Sequence, residues 1–231
     1  WVHVEHEHEI TETVESDKPL GGNPLSGITH LFSSPYFVGI AISSVIASLL
    51  GTALYMFAAE LVEQEIASAN ERTQFFSNIN VATNTLSLVG QMFIVRHVVA
   101  RFGIGVSLSL LPLVSVVGFI LLAMDPVLGV VAILTVARRA LGFGFSKPTT
   151  DMLFSVVTRV EKYKTKNFID TAIYRGGDVV GTWAVKLLSA LGITGISLVM
   201  LPFAVLWAIV ALWLGRDYRR RARDLKHVGV K

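Results

Sequence analysis

Residues 193–214 read ITGISLVMLPFAVLWAIVALWL, 22 positions without one charged side chain. A helix that crosses the hydrocarbon core of a bilayer needs about 20 mostly apolar residues. This stretch meets the requirement, and it ends at Gly215 and a cluster of arginines. Working outward from it, five further stretches qualify: Tyr36 to Ala59, Thr73 to Val95, Ile104 to Met124, Val127 to Gly144 and Asn167 to Leu191. The composition agrees. The 231 residues are 52% hydrophobic and 16% charged, with a mean hydropathy of +0.60, whereas soluble domains carry about 25% charge. The expected fold class is all-α: a polytopic membrane protein with six transmembrane helices.

Charge in the connections orients these spans. The first connection is acidic (Glu60, Glu63, Glu65, Glu71), the second basic (Arg96, His97, Arg101), and the third holds Asp125 with no cation. The fourth is strongly basic, counting Arg138, Arg139, Lys147, Arg159, Lys162, Lys164 and Lys166, the fifth is uncharged, and the end carries Arg216 to Arg223 and Lys226. Cationic and non-cationic connections alternate, so the positive-inside rule places both termini in the cytoplasm. The organisation expected is a polar cytoplasmic linker over 1–34, a six-helix domain over 35–215 and a basic cytoplasmic tail over 216–231.

The same numbers exclude other classes. A net charge of +3 without a basic stripe interleaved with aromatics does not describe a nucleic-acid binder. The absence of cysteine removes disulfides, thiolate metal sites and a cysteine nucleophile. His3, His6 and His8 alternate with Glu5, Glu7 and Glu9, a spacing that places ligands on one face only if the segment is a strand. The composition there reads as a solvated linker, and no metal or other cofactor is expected. The segment before Ser34 has no basic and apolar leader pattern, and a first residue of Trp leads us to expect an upstream part. No HExxH, GxSxG or P-loop pattern occurs, so the chain reads as a non-enzyme.

Ionisable groups inside a span are functional candidates, because they cost several kcal/mol unless they face water or a bundle interior. The fifth span concentrates them. Asn167, Asp170 or Thr171, Tyr174, Asp178 and Thr182 recur at steps of three and four, Arg175 can pair with Asp178, and Lys186 has no carboxylate four residues away. Gly176, Gly177 and Gly181 remove bulk at the same level and permit close helix approach or a local break. In the second span Ser77, Asn80, Asn84, Ser87 and Gln91 form an uncharged polar stripe, and Ser44, Ser48, Thr52 and Tyr55 form a weaker one in the first. Polar stripes on apolar helices describe either walls around an aqueous cavity or glue between helices. We assign Asn80, Asn84, Gln91, Tyr174, Arg175, Asp178 and Lys186 to a substrate pathway, and Gly176, Gly177, Gly181, Lys147 and Asp170 to structural or gating roles.

Six spans with cytoplasmic ends and a polar lead-in resemble one half of a major facilitator transporter, whose two six-helix halves are related by pseudo-symmetry. Ser146-Lys147-Pro148-Thr149, Asp151-Met152-Leu153-Phe154, Glu161-Lys162-Tyr163-Lys164, Lys166-Asn167-Phe168-Ile169-Asp170-Thr171 and Tyr174-Arg175-Gly176-Gly177-Asp178 resemble the signature of the bacterial and plastid ATP/ADP translocase (nucleotide transporter) family and its bacterial facilitator-like relatives. Lys18-Pro19-Leu20-Gly21-Gly22 and Ser34-Pro35-Tyr36 resemble that group's central loop entering the seventh helix. The generic facilitator loop motif is only faintly echoed by Arg96 and Ala100-Arg101-Phe102-Gly103, without its acid. The resemblance implies a C-terminal half that exchanges an anionic solute, such as a nucleotide, by alternating access. It also implies three partners: the lipid bilayer of a bacterial inner membrane, an N-terminal six-helix half, and the small anion. Proton-coupled uptake using Asp178 or Asp170, and a non-transporting scaffold or sensor, stay open as alternatives.

Overall fold

A computed structural model describes residues 31–228; the His/Glu segment lies outside the described residues. Every regular element in the described chain is helical. In order these are α1 (Pro35–Glu65), α2 (Ala69–Val89), α3 (Val95–Met124), α4 (Leu128–Leu141), α5 (Lys147–Leu153), α6 (Arg159–Phe168), α7 (Tyr174–Leu187) and α8 (Gly192–Val228). Wide π-helical turns at Gly90–Ile94, Gly142–Ser146 and Ile169–Ile173 join α2 to α3, α4 to α5 and α6 to α7.

Four helical stretches are long and apolar enough to cross a membrane: Pro35–Glu65, Ala69–Met124, Leu128–Val156 and Ser189–Leu225. The expected second and third spans both fall in Ala69–Met124. The basic loop expected around Arg96 and Arg101 is therefore helix, broken only at Gly103, whose φ of 78° belongs to the left-handed region that glycine tolerates. The expected fifth span is helical through α6 and α7, but its charges keep it out of that apolar set. The expected break between the last two spans sits at Gly192, with φ 63°. The protein is thus a polytopic helical membrane protein with four apolar stretches in place of the six expected.

The exterior supports this. Val106, Leu113, Val117 and Leu121 on α3, and Phe203, Val205 and Ile209 on α8, are all exposed. An apolar surface of this extent, on helices long enough to cross a bilayer, is what contact with lipid calls for. Inside, one cluster gathers Leu50, Phe57, Phe119, Leu122, Val131 and Met200. A second, towards the start of α1, holds Tyr36, Phe37, Leu153, Phe154 and Leu214.

Ser34 caps α1 by accepting from the Tyr36 amide, with Pro35 in the first turn where no amide proton is needed. The Tyr36 hydroxyl donates to the Leu153 carbonyl at 2.9 Å, and the Arg221 guanidinium lies 4.5 Å above the Tyr36 ring while its Nη2 donates to Ser34 at 3.0 Å. Leu31, expected in a solvated linker, is instead buried in this second cluster. The basic end of the chain, expected as a tail, continues α8 as helix to Val228.

α3 and α8 cross at two glycines. A Cβ built on Gly215 collides with the Gly105 backbone, so this crossing tolerates no side chain on α8. We expect Gly215→Val to lower the stability of the detergent-solubilised protein by about 1–3 kcal/mol through overpacking. Gly176→Ala, where a Cβ meets nothing within 4 Å, should leave the unfolding temperature unchanged or raise it, since alanine is favoured over glycine inside a helix by about 0.5–1 kcal/mol.

Candidate functional site

α1 and α7 pack face to face because α7 presents Gly177 and Gly181. A Cβ on Gly177 would lie 2.9 Å from the Ser48 Cβ, and one on Gly181 3.1 Å from the Thr52 Cβ. The glycines act through close approach; α7 runs unbroken through both. At this distance the short hydroxyls of α1 reach the carboxylate of α7. Ser48 Oγ hydrogen-bonds Asp178 and also lies 3.0 Å from the Tyr174 carbonyl, and Thr52 donates to the same Asp178 oxygen at 3.3 Å. Arg175 stands 3.9 Å from the other carboxylate oxygen, with its side chain 83% exposed. The polar stripe of the first span and the fifth-span charges thus form one constellation.

These groups line a cavity of about 1150 Å³, open on one side, between α1, α2, α3, α4, α5, α7 and α8. Of the expected pathway residues, Asn80, Tyr174, Arg175 and Asp178 line it, as do Lys147 and Asp170. Asn84 and Gln91 do not; both are exposed, and the Gln91 amide donates to the Phe143 carbonyl at 2.9 Å, tying the wide turn after α2 to the wide turn after α4. Lys186 is not brought to the cavity either. It is exposed, with its ammonium 5.8 Å from the Trp183 ring centre. Two turns beyond Asp178, a residue has drifted about 80° around an α-helix, which carries Lys186 off the cavity face.

Lys147 and Asp170 on the cavity wall belong to an alternating set of charges that continues outside it to Asp151 and Lys166. Lys147 Nζ lies 2.8 Å from Asp170, Lys166 Nζ 2.9 Å from Asp151, and Lys147 4.0 Å from Asp151. Both lysines were expected in a loop. In the structure Lys147 opens α5 and Lys166 belongs to the last turn of α6. The wide turn Ile169–Ile173 adds residues to its coil, so Asp170 turns towards Lys147 while Tyr174 and Asp178 turn towards α1.

The largest departure concerns Arg138 and Arg139, read from sequence as loop cations. Both lie in α4, and both line the cavity. Arg139 Nη1 donates to the Asn80 amide oxygen at 2.9 Å. Arg138 is 8% exposed. Its Nε donates to Ser115 Oγ at 3.0 Å, its Nη2 donates to the Ala47 carbonyl at 2.7 Å, and its guanidinium lies 5.7 Å from the Trp207 ring centre. Among the described residues no carboxylate pairs with it. The signal was present in the sequence: the span Val127 to Gly144 contains both arginines, and an intramembrane cation is a candidate wherever it falls.

Four cations (Arg138, Arg139, Lys147, Arg175) thus face two carboxylates (Asp170, Asp178) around the cavity. Such a wall attracts anions and repels cations. Among the described residues no group of three or more metal-ligating side chains converges.

In comparisons with known proteins, the chain is 24% identical over 222 aligned residues to ADP,ATP carrier protein 2 of Chlamydia pneumoniae. The alignment covers 84% of the chain and 41% of that protein, so the chain spans about two-fifths of the length of this relative. No family model and no solved structure matches.

The ion pairs predict a reversible charge swap. Asp170→Lys should lower the unfolding temperature, and adding Lys147→Asp should restore it, with a coupling of about 0.2–1 kcal/mol as for other half-exposed pairs. A double-mutant cycle by thermal unfolding measures it.

Proposed function

We propose that the chain is the C-terminal six-span half of a secondary carrier of the major facilitator type, which moves an anionic solute, a nucleotide being the best candidate, by alternating access. The observation that carries this reading is the cavity itself: a chamber lined by polar as well as apolar side chains, with an excess of positive charge, beside helices α3 and α8 that expose apolar side chains. Phosphate groups suit fixed guanidinium and ammonium donors held in a site of low dielectric. The similarity to a protein named an ADP,ATP carrier points to the same cargo.

Length supports the reading of six spans. The 56 residues of Ala69–Met124 would extend about 84 Å as one helix, against a hydrocarbon core of about 30 Å. Two crossings folded at Gly103 fit that dimension. α6 and α7 supply the fifth crossing, its charges faced inward to the cavity and shielded by the rest of the carrier. An N-terminal six-helix half would cover the exposed polar faces of α2 and α7, and it accounts for the two-fifths share of the relative. In this reading the carrier sits in a bacterial inner membrane with both ends of this chain cytoplasmic, the orientation that the alternation of charged connections favours. The solute crosses chemically unchanged, so the protein is not an enzyme.

The proton-coupled alternative needs a carboxylate free to exchange its proton. Asp178 is engaged by Ser48, Thr52 and Arg175, and Asp170 by Lys147, which favours tying roles for both.

Counterflow in proteoliposomes containing the complete protein tests the proposal. Labelled ATP or ADP should accumulate against preloaded unlabelled nucleotide. Arg175→Gln should cut the initial rate at least tenfold, while Lys186→Gln, outside the cavity, should change it less than twofold. Wild-type protein that exchanges no anionic solute would refute the assignment.

A further inference from the structure

Arg138 is the one charge lining the cavity that no ion pair or side-chain amide absorbs among the described residues. Arg139 is taken by Asn80, Lys147 by Asp170 and Arg175 by Asp178. Of the five N–H donors of a guanidinium, Arg138 uses one on Ser115 and one on the Ala47 carbonyl. Its Nη1 has no partner among the described residues. That nitrogen faces Gly51, where a Cβ would stand 3.0 Å from it. The missing side chain at Gly51 leaves this donor edge open, and both residues line the cavity.

The surroundings are under-satisfied as well. Thr135, three residues before Arg138 on α4, and Ser43 on α1 belong to the cavity wall, and each has a buried hydroxyl oxygen without a hydrogen-bond partner. A buried cation with unused donors, in a cavity that also holds hydroxyls with unused capacity, is stable only when a counter-charge or water completes it. Ser115, Ala47 and the Trp207 ring meanwhile fix the plane of the guanidinium from α3, α1 and α8. Such a group is oriented before its ligand arrives, and it keeps its charge at any physiological pH.

We infer that Arg138 is the anchor for the phosphoryl oxygens of the solute, taken through Nη1 where Gly51 leaves room. The inference rests on the carrier reading and deepens it, because it names which of the four cations receives the cargo's charge. Arg138 touches the solute directly; Ser115 and Ala47 are positioning groups that act through it. The recognised chemistry is the phosphoryl group itself, whether on inorganic phosphate, pyrophosphate or a nucleotide.

The test uses the complete protein in phosphatidylcholine nanodiscs, titrated with inorganic phosphate, pyrophosphate, ATP and, as an uncharged control, adenosine, while thermal unfolding is followed. Wild-type protein should be stabilised by at least one phosphorylated probe and not by adenosine. Arg138→Gln should abolish the shift. Gly51→Ala keeps the guanidinium and its straps but sets a methyl against Nη1. It should leave the unfolding temperature without ligand near wild type and weaken the apparent affinity at least tenfold. This second variant decides the matter even where Arg138→Gln fails to fold. Gly51→Ala protein that binds within twofold of wild type overturns the anchor and leaves the carrier reading standing. Wild-type protein indifferent to every phosphorylated probe overturns the anchor together with the nucleotide as cargo.

Discussion

A charge enclosed among lipid-facing helices must be solvated by protein, by water or by a ligand, and that constraint organises this chain. α1 answers it with small hydroxyls: Ser48 and Thr52 hydrogen-bond Asp178, and the carbonyl beside them, at Ala47, holds Arg138. α7 answers with glycines that let those short side chains reach across. Remove the close approach and the carboxylate is left stranded. The packing and the polar chemistry are therefore one feature: tight helix crossing at small residues is what lets intramembrane ionic groups find partners.

The cavity divides its charges into two kinds. Near α5 and α6, lysines and aspartates alternate and neutralise one another across segments, the pattern of a structural tie. On α4 the two arginines are oriented by neutral groups, namely an amide, a hydroxyl, a carbonyl and an indole face. Neutral partners hold a guanidinium in place without cancelling its charge. A field that survives in this way can act on something else in the cavity.

Much of this was legible in the sequence, for physical reasons. Apolar runs such as Ile193 to Leu214 announce helices in lipid, and the three- and four-residue steps of Tyr174 and Asp178 put both on one helix face, which in the structure lines the cavity. Gly177 and Gly181 were recognisable as points of close approach. Other features were hidden. A helix that continues past Val95 carries no mark beyond the glycine that later breaks it, so Arg96 and Arg101 looked like a loop. Wide turns have no composition of their own, and each shifts the helical phase of the residues after it. Arg138 was obscured by its position near the end of a span, where a cation also satisfies the positive-inside pattern of the adjoining connection. Lys186 was misplaced because a stripe of three- and four-residue steps accumulates angular error beyond two turns.

The central claim is that the polar groups of α1, α2 and α7 face an aqueous crevice while α3 and α8 turn apolar faces to lipid. Since this chain contains no cysteine, single cysteines can be introduced at Ser44 and Asn80, which line the cavity, and at Val117 and Ile209, which are exposed on the apolar exterior. A membrane-impermeant maleimide, applied to both sides of proteoliposomes, should label the first pair and spare the second. Labelling at Val117 and Ile209 with silence at Ser44 and Asn80 would contradict the account.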